Sequence, residues 1–378
     1  MNKKILYYIS RLEQKRAFEN IYYETNNNTI MLLGPGPRTL KNNHFEIIDD
    51  YSEFKTKNVT IDGEKDHLGA VTSFCPDALA CSGVIGPLKV SLSPGCKKIH
   101  VGHGLIGDNY PTIDNIMNVG PSWNGYDLYC GAGHDYNEFM KFVCKQGYSG
   151  NFIPNALPQL DILYYGSKKT LLFKEHLLTR GYIPTAKKYI LFAGFGGPVT
   201  SEYRDHNDDF YRTAIHLHKL ANKNDWYIFI KTRLTQGDYI KFMNDHGELH
   251  KYRDEFTNLC NSNRVCVINK LDPIYKYFFV DIIILNGTST IEVEASCINK
   301  PIIIVRTNSS YDPLKTITLN AAKLVNKDDM NNLEEAITSN FDNNIACQKK
   351  LLSYQNIIFD GQHSKRTQDA ISLLLEQN

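Results

Sequence analysis

Two Rossmann-like α/β domains facing one another across a cleft are what this sequence predicts, and three observations predict them. The 378 residues leave room for two domains of ordinary size. The chain opens on a strand, a helix and a second strand, the entry to a parallel sheet. Its second half alternates continuous Ile/Val/Leu runs with helical segments, as a parallel sheet covered on both faces requires.

Residues 4–9 read as a strand, 12–22 as a helix and 29–33 as a strand closed by Gly34-Pro35-Gly36-Pro37. Shorter apolar runs follow at 45–48, 59–61, 78–81 and 98–101. Residues 127–130 and 150–153 are strands on either side of a helix at 135–146 that starts on an acidic cap. The Pro-containing stretch 154–158 leads through 160–165 into a charged helix at 168–180, the passage between domains. Strands at 189–193, 226–231, 265–268, 281–285 and 301–305 then alternate with helices at 208–223, 239–260 (interrupted) and 290–297, and helices at 331–339, 344–354 and 366–377 close the chain. The expected domains are an acceptor domain over 1–157 and a donor domain over 158–365, with a last helix, 366–378, in reach of the first domain.

Composition narrows the function. At 42% hydrophobic and 22% charged the chain is globular rather than disordered or fibrous. Lys+Arg 42 against Asp+Glu 41 leaves +1, which gives no overall field for sequence-independent nucleic-acid binding. The nine cysteines include no Cys-x-x-Cys and no Cys/His cluster at zinc spacing, so free thiols in the cytoplasm and no bound metal are expected. The short apolar run near the N-terminus is broken by Arg11, Glu13 and Lys15, unlike a signal peptide. No stretch reaches the about 18 apolar residues needed to span a bilayer.

In sheets of this kind ligands sit at the carboxyl ends of strands, so the loops there are read for chemistry. Asn286-Gly287-Thr288-Ser289-Thr290 joins a strand to a helix, and its hydroxyls beside the first helical N–H groups suit a diphosphate without a metal. Glu292 or Glu294 in the next turn then faces ribose or sugar hydroxyls. The same letters also describe a plain helix cap with acidic residues in the first turn.

Gly102-His103-Gly104, continuing to Gly107-Asp108, follows the strand at 98–101. His103 there suits a general base for an acceptor hydroxyl, with Gly104 and Asp108 on the acceptor side, or else it is a turn residue bonded to its own loop. His100, inside the strand, reads as packing. The Gly-rich turn Gly194-Phe195-Gly196-Gly197 lies against a donor phosphate through its backbone or is only a turn. Arg233, in Lys231-Thr232-Arg233, offers charge to the donor or faces solvent. His134 reads as a neighbour of a helix start, and the aromatic residues of 275–279 as a packing surface.

His103-Gly104, then Pro158-Gln159-Leu160-Asp161-Ile162-Leu163, the strand at 188–193, Ser289-Thr290 with Glu294, and Lys300-Pro301 occur in the order found in the CDP-glycerol glycerophosphotransferase family, which this sequence resembles over about residues 78–306. The resemblance implies a two-domain GT-B fold and teichoic-acid or capsule synthesis. The implied reaction moves a glycosyl or glycerol-phosphate group from a nucleotide-diphosphate donor to a hydroxyl of a polysaccharide or lipid-linked glycan, with His103 as base. No cofactor beyond that donor substrate is implied, and a lipid-linked acceptor adds peripheral contact with the inner face of the membrane.

The chain departs from the family where Gly107-Asp108 replaces a lysine, where Lys231-Thr232-Arg233-Leu234 replaces a second histidine, and where Gly287-Thr288-Ser289-Thr290 replaces Asp-Tyr-Ser-Ser. The C-terminal pattern is also similar to nucleotide-sugar GT-B glycosyltransferases and to non-hydrolysing UDP-N-acetylglucosamine 2-epimerases. An epimerase, or a module that binds nucleotide sugar or glycan without turnover, are the alternative functions.

Overall fold

A computed structural model of the chain describes residues 3–9, 18, 21, 29–33, 59–60, 72–82, 92–102, 126–134, 141, 144–145, 147, 149–194, 204–231, 243–244, 247–268, 274–287, 289–306, 312, 314–326 and 328–377. The chain divides into two compact units, one of Met1–Tyr164 with Gln355–Asn378 and one of Tyr165–Tyr354.

The first unit is built on a seven-stranded sheet: β1 (Ile5–Ile9), β2 (Thr29–Leu33), β3 (Val59–Thr60), β4 (Ala78–Cys81), β5 (Lys97–Val101), β6 (Leu128–Cys130) and β7 (Asn151–Ile153). They lie in the order β3-β2-β1-β4-β5-β6-β7, every pair parallel. Strands β4 and β6 are buried along their whole length, which is why they read as unbroken apolar runs rather than alternating ones. His100 in β5 is buried against the rings of Tyr126 and Tyr129, so it packs, as expected.

The helix α1 (Gln159–Gly166) follows β7, and the last helix of the chain, α8 (His363–Glu376), returns to the same unit. Ile371, Leu374 and Leu375 of α8 share one core with Ile99, Val101, Leu128 and Cys130. Residues at that spacing lie on one helical stripe, so α8 covers β5 and β6 with its apolar face.

The second unit carries α2 (Thr170–Thr179), β8 (Lys188–Ala193), α3 (Arg204–Asn224), β9 (Trp226–Lys231), α4 (Arg253–Cys260), β10 (Val265–Ile268), β11 (Ile282–Leu285), α5 (Ile291–Cys297), β12 (Ile302–Val305), β13 (Lys323–Val325), α6 (Asn332–Thr338) and α7 (Asp342–Tyr354). Its six strands run in the order β10-β9-β8-β11-β12-β13, again all parallel. The pattern of α3 is legible: Phe210, Ala214, Leu217 and Ala221 recur at helical spacing, and all are fully buried against Ile190, Ile228 and Ile230. Asp225, at φ 60°, ends that helix in the left-handed region and turns the chain into β9.

The interrupted helix expected at 239–260 is, among its described residues, helical at 243–244, a 3₁₀ stretch at Gly247–Tyr252 and the short α4. One element differs from expectation. Strand β13 was not anticipated, because three residues with one fully buried side chain carry no readable period. The aromatic run near 277 is buried as expected: Tyr277 and Phe279 pack on Phe229, and Phe279 also meets Tyr189.

Candidate functional site

In both sheets the strand order reverses beside the first strand of the unit, between β1 and β4 and between β8 and β11. Ligands of doubly wound sheets sit outside the carboxyl ends at that reversal. In the second unit those ends are Ala193-Gly194 and Leu285-Asn286. A Cβ on Gly194 would stand 2.2 Å from a ring carbon of Phe210 and 2.8 Å from one of Phe192. The two rings are stacked at 5.4 Å, so glycine is needed here for packing, whatever the turn binds.

The loop after β11 brings Ser289, Thr290, Glu292 and Glu294 into one turn. The Ser289 hydroxyl accepts the Ile291 N–H at 3.3 Å, and the Glu292 Oε1 accepts the Ser289 N–H at 2.9 Å. This is a capping box, in which serine and the glutamate three residues on satisfy each other's neighbouring donors. Through Oε1 Glu292 thereby serves the helix start, and it is 1% exposed. Glu294 is also buried, within α5 itself. The Ser289 hydroxyl, accepting one bond, keeps its own proton to donate.

The turn that follows α5 explains another motif. Asn299 has φ 54°, and the Lys300 N–H reaches back to the Ala295 carbonyl at 3.0 Å. That is a Schellman-type helix end, whose left-handed residue is glycine or asparagine. The Lys300 ammonium donates to the Val280 carbonyl at 2.9 Å, just before the amino end of β11 and so away from the ligand-bearing ends. Asn299-Lys300-Pro301 is thus a structural corner.

In the first unit Pro158-x-x-Asp161 has an equally structural explanation. The Asp161 carboxylate, 2% exposed, accepts the His363 N–H at 3.0 Å and the Ser364 N–H at 2.6 Å, and so caps α8 from about 200 residues away. Asn155 joins it: its side chain accepts the Ile358 N–H at 2.9 Å and its carbonyl accepts the Arg366 Nε–H at 2.6 Å. Arg366 in turn grips Asp360 through two bonds of 2.9 and 3.0 Å, which holds the Asp360 carboxyl below its usual range.

His363 is fully buried in this junction. Its Nδ1 accepts the Leu157 N–H at 3.2 Å and its Nε2–H donates to the Ile358 carbonyl at 2.8 Å, an arrangement only the neutral ring can make. Burial holds its pKa below the ordinary 6.5, opposed by the Asp161 charge and reinforced by Arg366. The unfolded chain therefore takes up a proton that the folded one refuses, and stability falls with pH below about 6.5, by at most about 1.4 kcal/mol per pH unit for one such group. Melting curves between pH 7.5 and 5.5 are expected to show that decline, and His363→Gln is expected to flatten it while lowering stability at neutral pH.

At the end of β5, the Gly102 N–H donates to the Cys130 carbonyl at 2.8 Å, and Ser82 donates to the Val101 carbonyl. The backbone that delivers residue 103 is thus fixed from two sides. His103, Gly104, Asp108, Gly196, Gly197, Arg233 and Thr288 themselves lie outside the described residues. His134 stands at a helix start, its N–H on the Gln355 side chain at 3.1 Å. All nine cysteines are free thiols. No helix among the described residues is long and apolar enough to cross a membrane.

One further charged residue is buried in the second unit. Arg306 follows directly on β12, is 8% exposed, and has its Nη2 3.6 Å from Asp312 Oδ1. The available signal was a lone arginine closing the apolar run 302–305.

Two Rossmann-like units, each a parallel sheet with the order reversing beside its first strand, give this chain an α/β fold of the GT-B type. Structures already solved agree. The wall teichoic acid polymerase TagF, in a variant soaked with CDPG, is similar over 100% of this chain and 90% of that one, with a TM-score of 0.65 and 11% identity. A putative UDP-N-acetylglucosamine 2-epimerase from Listeria monocytogenes is similar over 100% of this chain and 98% of that one, at 0.61 and 13%. The UDP-GlcNAc 2-epimerase from Neisseria meningitidis bound to UDP-GlcNAc is similar over the whole of both chains, at 0.53 and 14%. At these identities the likeness is one of fold. No protein-family model matches the chain, and no curated protein matches it in sequence.

Proposed function

We propose that the chain is a GT-B transferase that moves a glycosyl or glycerol-phosphate group from a nucleotide-diphosphate donor to a hydroxyl of a polysaccharide or lipid-linked glycan. The observation that supports it is the whole-chain likeness to one protein soaked with CDPG and another bound to UDP-GlcNAc. In this reading the donor lies at the carboxyl ends of β8 and β11. The Ser289 and Thr290 hydroxyls, with Thr288 and the Gly196-Gly197 backbone, meet its phosphates, and Arg233 steadies the leaving nucleotide. His103, two residues past β5 in the sequence, takes the acceptor proton, with Gly104 and Asp108 assigned to the acceptor side. No metal or cofactor is assigned. The reaction is placed in the cytoplasm, with peripheral contact at the membrane where the acceptor is lipid-linked.

The likeness to two epimerases supports a second reading, in which the donor rearranges without an acceptor. Purified protein should be incubated with CDP-glycerol, CDP-ribitol, UDP-sugars and CMP-sugars, with and without glycan acceptors, and melting curves recorded with each. Transfer or donor hydrolysis is expected. Conversion of UDP-N-acetylglucosamine alone would decide for the epimerase, binding without product for a non-catalytic module, and no thermal shift with any donor would overturn the proposal.

A further inference from the structure

We infer that the outward face of α2 is a docking surface for an anionic lipid bilayer, an inference that rests for its purpose on the lipid-linked acceptor of the reading above. Its evidence lies in the second unit alone. Among the described residues seven large apolar or aromatic side chains are exposed, and four of them, Tyr165, Leu171, Leu172 and Tyr182, fall on or beside this one short helix. Leu171, Leu172 and Tyr182, at 63, 65 and 67%, are the most exposed of the seven. Single exposed leucines are ordinary on a protein surface, whereas a cluster marks a surface that meets something apolar.

The packing of α2 fixes which side faces out. Phe173 meets Tyr277 edge-on with ring centroids 5.7 Å apart, and the Lys174 ammonium lies over the Tyr189 ring at 4.4 Å. One turn on, Leu177 and Leu178 are half-buried on that same side. Leu171, Leu172, Glu175, His176 and Thr179 make up the opposite stripe, and all five are exposed. The helix then ends in a Schellman motif: Gly181, at φ 68°, donates its N–H to the Leu178 carbonyl at 3.0 Å, and the Tyr182 N–H reaches the Leu177 carbonyl at 2.9 Å. With Ile183 buried behind it, this turn sets the Tyr182 ring 6.2 Å from that of His176, which stands one turn beyond Leu172. The leucine pair and the tyrosine are thus held in place by the fold of the unit.

The charge around this face selects its occupant. Residues 167–188 hold six Lys and Arg residues against a single acidic one, Glu175, in a chain whose formal charge is only +1. Lys174 and Lys188 are drawn inward, to the Tyr189 ring and the Ile337 carbonyl. Lys169 and Arg180, at the two ends of α2, are exposed, as is Lys187. A second copy seated on this face by a two-fold contact would set cations against cations. Anionic head groups meet them with opposite charge, while the leucines enter the boundary between head groups and acyl chains. Tyr182 suits that boundary, where the ring is apolar and its hydroxyl stays wet.

Sedimentation of the full chain with vesicles of mixed phosphatidylcholine and phosphatidylglycerol, and with vesicles of phosphatidylcholine alone, tests this. The wild type is expected to bind the anionic vesicles about 10-fold or more tightly than the neutral ones, and less as salt rises. Leu171→Gln with Leu172→Gln is expected to weaken binding to the anionic vesicles by about 10-fold or more. Lys169→Gln with Arg180→Gln is expected to weaken it by about 10-fold. Because all four side chains are exposed, melting temperature and donor-induced thermal shift are expected to match the wild type in both variants. Wild-type protein that ignores anionic vesicles, or a leucine variant that binds them as the wild type does, would overturn the inference and leave the donor reading standing. A dimer that the leucine substitutions dissolve, without vesicle binding, would overturn it in favour of a second copy. Vesicle binding that the leucine substitutions weaken, in a protein that no nucleotide donor shifts, would support the surface and overturn the donor reading. Should the leucine variant not fold, the Lys169 and Arg180 variant decides: weaker binding to anionic vesicles supports the inference, and equal binding overturns it.

Discussion

Asp161→Ala is expected to destabilise the first unit by about 2–4 kcal/mol, because it strips two buried N–H groups of their acceptor at once. Both the His363 and Ser364 N–H groups depend on that carboxylate, and they belong to the first turn of the helix that covers β5 and β6. An uncapped helix start also loses the negative charge that its dipole favours. Asp161→Asn retains one acceptor oxygen and is expected to lose about half as much. Thermal unfolding at pH 7.5 checks both, with a fall of about 5–10 °C expected for alanine in a unit of this size. A loss below 1 kcal/mol for alanine would mean that α8 is held by its apolar face alone.

His103→Ala is expected to lower turnover of the accepted donor by about 10²- to 10⁴-fold with little change in its thermal shift, since a general base acts on the acceptor proton and not on donor binding. The residue follows Gly102, whose N–H is bonded to Cys130 and which a Cβ would press to 3.3 Å from Leu157. The backbone as far as Gly102 is thus fixed within the first unit. Turnover should be followed with the donor and acceptor pair selected in the screen. Full activity in the alanine variant would remove His103 from the reaction and return it to the role of a turn residue.

Three of the short motifs noted in the sequence have a folding role in the structure. Pro158-x-x-Asp161 caps a helix far along the chain, Asn299-Lys300-Pro301 ends another helix in a left-handed turn, and Ser289 with Glu292 closes a capping box. Caps and turns need particular side chains at particular places, because a buried N–H needs an acceptor and a positive φ needs asparagine or glycine. This separates fold from chemistry: none of these residues is thereby assigned a reaction. In the loop at 286–294, Glu292 serves the helix start through its Oε1.

The order of strands and helices could be read from the amino acids alone, because burial on both faces leaves unbroken runs such as Ile282–Leu285 and Ile302–Val305, and a one-sided helix leaves a period such as that of Phe210, Ala214, Leu217 and Ala221. These are local patterns. What needed the folded chain was every long-range partner: Asp161 with His363, α8 on the first sheet, and Arg366 on the Asn155 carbonyl. A single carboxylate or arginine carries no mark of the distant group it will meet. Its role is set by strand register and by the cost of burying a charge or an unpaired donor, and both arise only once the chain has packed.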